Sequence, residues 1–240
     1  MSQGVVADTV VIVGSQHGNE PLGSEVVAML NERASEYPGV TGIVGNPKAL
    51  ALNKRYTETN LNQAYHGGSD SYEARRAQEI LQLTQDHRYL FDIHSTTSRI
   101  EPTLIIADFS EETRAIINVL PFTRIVYFDT QLSRHSLIGS RTGSITFEMN
   151  TAEAAVRRDE MIEIFLWAAA QLASGERIEP LERKLYYSSQ QIPEDATVPD
   201  DAQDFAELKG LPYRGFLLSE AAYAGRRQGF QLTAPIPVEL

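Results

Sequence analysis

The chain has 240 residues, no cysteine and a formal net charge of −11. The length fits one large domain, or a main domain with a small appendage, and the lack of thiols excludes a disulfide framework and thiolate chemistry. The acidic balance excludes a nucleic-acid backbone or an anionic membrane as partner, since both need basic patches, but it leaves room for an anionic small molecule met by a local arginine cluster.

No apolar run reaches the length of a membrane span. Met1-Ser2-Gln3-Gly4 lacks the basic and apolar regions of a signal peptide, so the expected location is the cytoplasm. Homodimers are the commonest assembly, which makes a homodimer the default expectation.

The apolar, β-branched run Val10-Val11-Ile12-Val13 predicts a buried parallel strand over 9–14. Pro21 suits a first helical turn, and Val26, Val27, Leu30 and Ala34 recur at helical spacing, which predicts a helix over 21–35. A turn at Pro38-Gly39 leads to a strand over 40–45. Residues 46–63 read as a long polar, irregular stretch of the kind that carries function.

An amphipathic helix over 71–86 follows, then strands over 89–93 and 103–107 and a helix over 111–119. Strands over 124–128 and 144–148 precede a long helix over 153–173 that stops at Ser174-Gly175. This alternation predicts an α/β fold: a mixed, mostly parallel sheet with helices on both faces, over residues 1–175. Composition shifts after Gly175, and strands near 181–190, 213–223 and 228–240, with an acidic loop at 191–204, predict a small β-rich C-terminal domain over 176–240.

The chemistry gathers at strand ends, where open α/β sheets place their ligands. Val13-Gly14 runs into Ser15-Gln16-His17-Gly18-Asn19-Glu20, and Gly18 lets that turn bend without a Cβ clash. Tyr89-Leu90-Phe91-Asp92-Ile93 runs into His94. Meeting across the sheet, His17, Glu20 and His94 make a His₂Glu set with a fourth position open, the pattern of a catalytic zinc. One Zn²⁺ per chain is therefore expected. Glu148, also at a strand end, suits a general base toward water and a proton donor to a leaving amine. Arg55 in the long loop suits polarisation of a carbonyl and stabilisation of its oxyanion. His66, His87 and His135 sit in polar surroundings and read as solvated surface residues.

These residues resemble the aspartoacylase and succinylglutamate desuccinylase family of the zinc carboxypeptidase superfamily. The matching stretches are Gly14–Glu20, Asn46-Pro47-Lys48-Ala49, Arg55-Tyr56 with Asn60-Leu61-Asn62, Asp92–Ser98, Glu148 and Glu220-Ala221-Ala222-Tyr223. They keep the family's order over nearly the whole chain, and the last segment tilts the resemblance toward aspartoacylase. The resemblance implies a zinc carboxypeptidase-like fold, with His17, Glu20 and His94 as zinc ligands, Glu148 as the catalytic carboxylate and Arg55 as the arginine that polarises the scissile carbonyl. It implies that Asn62 contacts the substrate carboxylate and that Tyr223 reaches the pocket from the C-terminal domain. Asp92 is a candidate to orient a ligating histidine.

The family usually follows that asparagine with an arginine, where this chain has Gln63. An amide loses the charge and the bidentate fork, a change of about 1–3 kcal/mol in a charge-assisted contact. Arg99 and Arg141 are candidates to supply the missing charge. The C-terminal region is shorter than usual in the family, which implies a more open pocket. The resulting expectation is a zinc-dependent amidohydrolase acting on a small N-acyl amino acid or a related carboxylated amide. The rival readings are a carboxypeptidase acting on short peptides and a metal- or ligand-binding homologue without catalysis.

Overall fold

The computed structural model describes residues 9–175, 178–218, 220–223 and 229–239. Its strands are β1 (Val10–Gly14), β2 (Val40–Val44), β3 (Tyr89–Ile93), β4 (Thr103–Ile106), β5 (Arg124–Phe128), β6 (Ser144–Glu148), β7 (Arg183–Ser188), β8 (Arg214–Phe216), β9 (Phe230–Leu232) and β10 (Ile236–Val238). Eight of them form one sheet in the order β10-β7-β5-β4-β6-β3-β1-β2, and β8 pairs with β9 apart from it. The main sheet is parallel except where β4 meets β6 and β10 meets β7. The segment beyond residue 178 thus divides between two sheets: β7 and β10 extend the main one and β8–β9 stand alone.

The helices are α1 (Leu22–Glu32), α2 (Pro47–Ala51), α3 (Tyr72–Thr84), α4 (Glu111–Val119), α5 (Thr130–Ser133), α6 (Thr151–Val156) and α7 (Arg158–Ser174). The stretch over 46–63, expected to be irregular, contains α2. Asn46 caps it by accepting from the Ala49 N–H, and Pro47 takes the first position, where its missing N–H is not needed. The helix expected over 153–173 is two helices. It starts earlier because the Asn150 side chain accepts from Ala152 and Glu153, and it breaks at Arg157, where φ is −99° and ψ 19°. Gly175 ends α7 at φ 70°, as a glycine stop should.

One face of the sheet packs on α1, α4 and α7 through a continuous apolar core that includes Val10, Ile12, Phe91, Phe147 and Phe165. On the other face, the strand register aligns one residue per strand in a row: Val13, Asp92, Thr146, Ile105, Val126, Tyr186. The Val13 end joins an apolar cluster with Ala77 and Ile80 of α3. The Ile105–Tyr186 end joins another with Phe216 of β8 and Phe230 of β9. Asp92 and Thr146 fall between the two clusters, so the interruption in apolar cover lies beside the carboxyl ends of β1, β3 and β6. Among the described residues no helix is long and apolar enough to cross a membrane.

At its carboxyl end β1 meets α1 through Gly14 and Gly23, and a Cβ on Gly14 would run into the Gly23 backbone. Gly14→Ala is therefore expected to destabilise the fold by about 1–3 kcal/mol, the usual range for overpacking, read as a lower midpoint of urea unfolding. An unchanged midpoint would mean that α1 moves aside freely.

Candidate metal centre

Ser15 follows β1 in the left-handed region, at φ 54°, a conformation held only when its surroundings demand it. Its hydroxyl donates to the Glu20 carbonyl at 2.8 Å and accepts from the Ser24 N–H at 3.1 Å. These bonds close residues 15–20 into a tight loop ahead of α1. The Gly18 N–H donates to the Arg55 carbonyl at 3.3 Å. A Cβ on Gly18 would collide with the backbone of Ala49 and Leu50. Glycine is needed there for close approach of α2 rather than for a special bend.

The loop brings His17 and Glu20 to His94, just past β3, and all three are buried. His17 Nδ1 lies 2.8 Å from Glu20 Oε1, His94 Nδ1 lies 2.9 Å from Glu20 Oε2, and the two Nδ1 atoms are 3.2 Å apart. One donor atom from each residue lies within 4.8 Å of the others. Zinc binds such donors at about 2.0–2.2 Å in a tetrahedron, which sets neighbouring donors roughly 3.3 Å apart. The residues present fit such an ion in both donor type and spacing.

The far sides of both rings support that reading. His17 Nε2 donates to Asn60 Oδ1 at 2.9 Å, and His94 Nε2 faces the Asp92 carboxylate at 3.1 Å. Each partner accepts a hydrogen bond from Nε2, which leaves Nδ1 as the ring atom that faces the centre. Asp92 is itself held by the Thr146 hydroxyl at 3.0 Å. Burial pulls His17 below the usual histidine range. Burial also opposes charge on His94, but Asp92 and Glu20 outweigh it and hold His94 well above that range. Burial pushes Glu20 up as well, yet the two histidines beside it draw its carboxyl far below the ordinary value.

Arg55 Nη1 donates to Glu20 Oε1 at 3.0 Å and lies 3.9 Å from Glu220 Oε1. Glu220 accepts from the Thr97 N–H at 3.0 Å and from the Thr96 hydroxyl, which ties the C-terminal segment to the turn after β3. Glu148 ends β6, half-buried, with no hydrogen-bond partner for Oε2 among the described residues. Burial pushes its pKa up to about 8, with His94 and Arg55 pulling down and Glu20 and Glu220 pushing up.

Glu148 lines a cavity of about 260 Å³ together with Asn62, Gln63, Arg134, His135, Phe128 and Phe230. Asn62 Oδ1 is also buried and without a partner among the described residues. Unmatched buried acceptors persist where something else satisfies them.

Three expected residues stand differently. Arg141 is a correction: its guanidinium donates to the carbonyls of Thr84, His87 and Arg88, near the amino ends of β3 and β6, so it is bound at the opposite end of the sheet. Arg99 is exposed and lines a separate cavity with Thr97, Glu101, Arg124 and Asp204. Tyr223 belongs to a single 3₁₀ turn, Ala221–Tyr223, and its side chain lies outside the described residues.

Of the histidines read as solvated, only His66 is exposed; His87 is half-buried, and half-buried His135 lines the Glu148 cavity. The sequence reading gave no role to Asn60 or Glu220. Both lie inside quoted motifs, which was the available signal.

The sequence profile of the succinylglutamate desuccinylase/aspartoacylase catalytic domain matches residues 6–163. The chain belongs to this family. A probable aspartoacylase from Acaryochloris marina is 35% identical over 113 residues, which is 41% of this chain and 38% of that protein. The aspartoacylase of Danio rerio is 33% identical over 118 residues, which is 42% of this chain and 38% of that protein. The matched stretch is thus well under half the length of these relatives.

In fold, the chain is similar to murine aminoacylase 3, with a TM-score of 0.76 and 21% identity over 97% of this chain and 96% of that one. It is also similar to succinylglutamate desuccinylase from Chromobacterium violaceum, with a TM-score of 0.75 and 18% identity over 97% of this chain and 86% of that one.

Metal-free protein is expected to take up one zinc per chain, and His94→Ala to lose it. With free zinc at about 100 times Kd, the folded state gains about 2.7 kcal/mol, read as a higher melting temperature. Zinc must displace the proton that His94 holds. That proton is bound below the raised pKa and gone above it, so affinity is expected to climb with pH through neutrality, about tenfold per unit for each proton released. Calorimetry in buffers of different ionisation enthalpy counts those protons. A flat profile would contradict the assignment.

Proposed function

We propose that the chain is a zinc-dependent amidohydrolase that cleaves the amide bond of a small N-acyl amino acid or a related carboxylated amide, with one zinc per chain. The observation that carries this reading is Glu148: a carboxylate with a raised pKa and an oxygen without a partner among the described residues, on the wall of a cavity also lined by Asn62 and Thr146, whose hydroxyl donates to the Asp92 that orients His94. His17, Glu20 and His94 would hold the zinc, which when bound polarises a carbonyl and makes water more acidic.

Glu148 takes the proton from the attacking water onto its open oxygen and delivers it to the leaving amine. A carboxylate of raised pKa does both, being a stronger base when ionised and able to hold the proton near neutral pH. Arg55 offers guanidinium protons to the carbonyl oxygen as negative charge builds there. Glu20 and Glu220 keep that guanidinium aimed into the site.

Arg134 and His135 line the same cavity, and we assign the substrate carboxylate to them in place of the arginine that Gln63 replaces. With a net charge of −11, the partner we propose is a small anionic molecule rather than nucleic acid or membrane.

Glu148→Gln is expected to bind zinc normally and to lose about 10²–10⁴-fold in kcat, the contribution of a general acid–base. Wild-type activity should fall as pH drops through the Glu148 pKa, because the base must be ionised, and a bound cation sets that limb below the metal-free value of about 8. Normal turnover by zinc-loaded Glu148→Gln on N-acyl amino acids would overturn the proposal. Arg134→Gln is expected to raise KM about tenfold or more with kcat little changed, as loss of a charge-assisted contact does; an unchanged KM would return the carboxylate to another residue.

A further inference from the structure

Glu73 lies in the first turn of α3 and is completely buried. It is not among the residues singled out from the sequence. Its Oε1 accepts from the Thr57 N–H at 2.7 Å, the Thr57 hydroxyl at 2.7 Å and Asn46 Nδ2 at 3.2 Å. Its Oε2 accepts from the Glu58 N–H at 3.2 Å and the Thr59 N–H at 3.1 Å. Burial pushes this carboxyl up, but the bonds from Thr57, Thr59 and Asn46 outweigh it and hold the pKa at about 2. Three successive backbone N–H groups closing on one carboxylate fix the path of the chain through 57–59.

That path matters because of what stands at its two ends. Arg55 lies two residues before it and reaches Glu20 at 3.0 Å. Asn60 comes directly after it, and its side-chain oxygen accepts from His17 Nε2 at 2.9 Å and from the Asn62 N–H at 3.0 Å. The Asn46 amide held by Glu73 also caps α2, and the Ala49 backbone of α2 abuts Gly18, next to His17.

We propose that Glu73 is a positioning residue of the metal centre, which clamps residues 57–59 and thereby fixes Asn60 and, through it, the orientation of His17. It rests on the metal-site reading above. The same clamp anchors the loop that carries Arg55, so one buried carboxylate serves both the ligand ring and the group assigned to the developing oxyanion.

The test is the zinc affinity of metal-free protein, measured by competition with a chelating dye. Glu73→Gln keeps the shape but turns one oxygen into an NH₂ that faces donors. It is expected to bind zinc about 10–100-fold more weakly, as losses of groups that orient a ligand do. Asn60→Ala should lose a similar amount, and the double variant should be no weaker than Asn60→Ala alone, since both act on the same bond.

Ile80→Ala, in the apolar core of the same helix, should lower stability and leave zinc affinity unchanged. Zinc affinity in Glu73→Gln equal to wild type, or losses that multiply in the double variant, would overturn the proposal. Thr57→Val removes one donor only and is expected to weaken zinc binding roughly threefold. If Glu73→Gln does not fold, unchanged affinity in Thr57→Val overturns the proposal in its place. A chain that binds zinc yet hydrolyses nothing would defeat the amidohydrolase reading and leave this one standing.

Discussion

The Glu20 carboxylate is the point on which the site turns. It is buried, and a buried charge persists only when it is paired and hydrogen-bonded. Its two oxygens face His17 Nδ1, Arg55 Nη1, His94 Nδ1 and the Ser95 N–H, all within 3.2 Å. These partners come from the loop after β1, the loop after α2 and the end of β3. Compensating one charge thus draws three separate segments together. The two imidazole Nδ1 atoms sit 3.2 Å apart, each beside one oxygen of that carboxylate. A divalent cation held there would give all three groups a common partner.

Much of this is legible in the sequence because it depends on local pattern. Val10–Val13 and Tyr89–Ile93 are apolar runs broken by polar turns, which suffices to place His17 and His94 at strand ends. What was not legible depends on reach. Arg141 is close to Glu148 in sequence, but Gly143 and the start of β6 intervene, so its side chain emerges at the amino end of the sheet and binds carbonyls there. His135 reads as a polar surface residue, yet the turn after α5 sets it in the wall of the Glu148 cavity.

α2 was missed although its signal was present: Asn46 before Pro47 is a cap followed by a first-turn proline, overlooked because the stretch is polar. The strand pattern near 181–190 is correct as a strand, but nothing in it says that β7 adds to the edge of the main sheet. Partner choice is a long-range property.

The polar gap on the sheet has a similar origin. Asp92 and Thr146 occupy the same cross-strand row as Val13, Ile105, Val126 and Tyr186. Apolar residues at either end let α3 and the β8–β9 segment pack as two separate covers. The two polar residues in the middle organise His94 instead: Asp92 faces its Nε2, and the Thr146 hydroxyl donates to Asp92. The pocket is therefore written into the sheet as an interruption of its hydrophobic face, before any loop is considered.

The bond between Glu220 and the turn after β3 spans 124 positions of sequence. A chain emerging from the ribosome presents the histidines, Arg55 and Glu148 long before Glu220 exists to share the guanidinium. Up to then, Arg55 has only Glu20 as a carboxylate partner among the described residues, and the strand that will be covered by β10 is an open edge. The segment that carries Glu220 and β10 therefore serves two places at once, the charge around Arg55 and the edge of the main sheet.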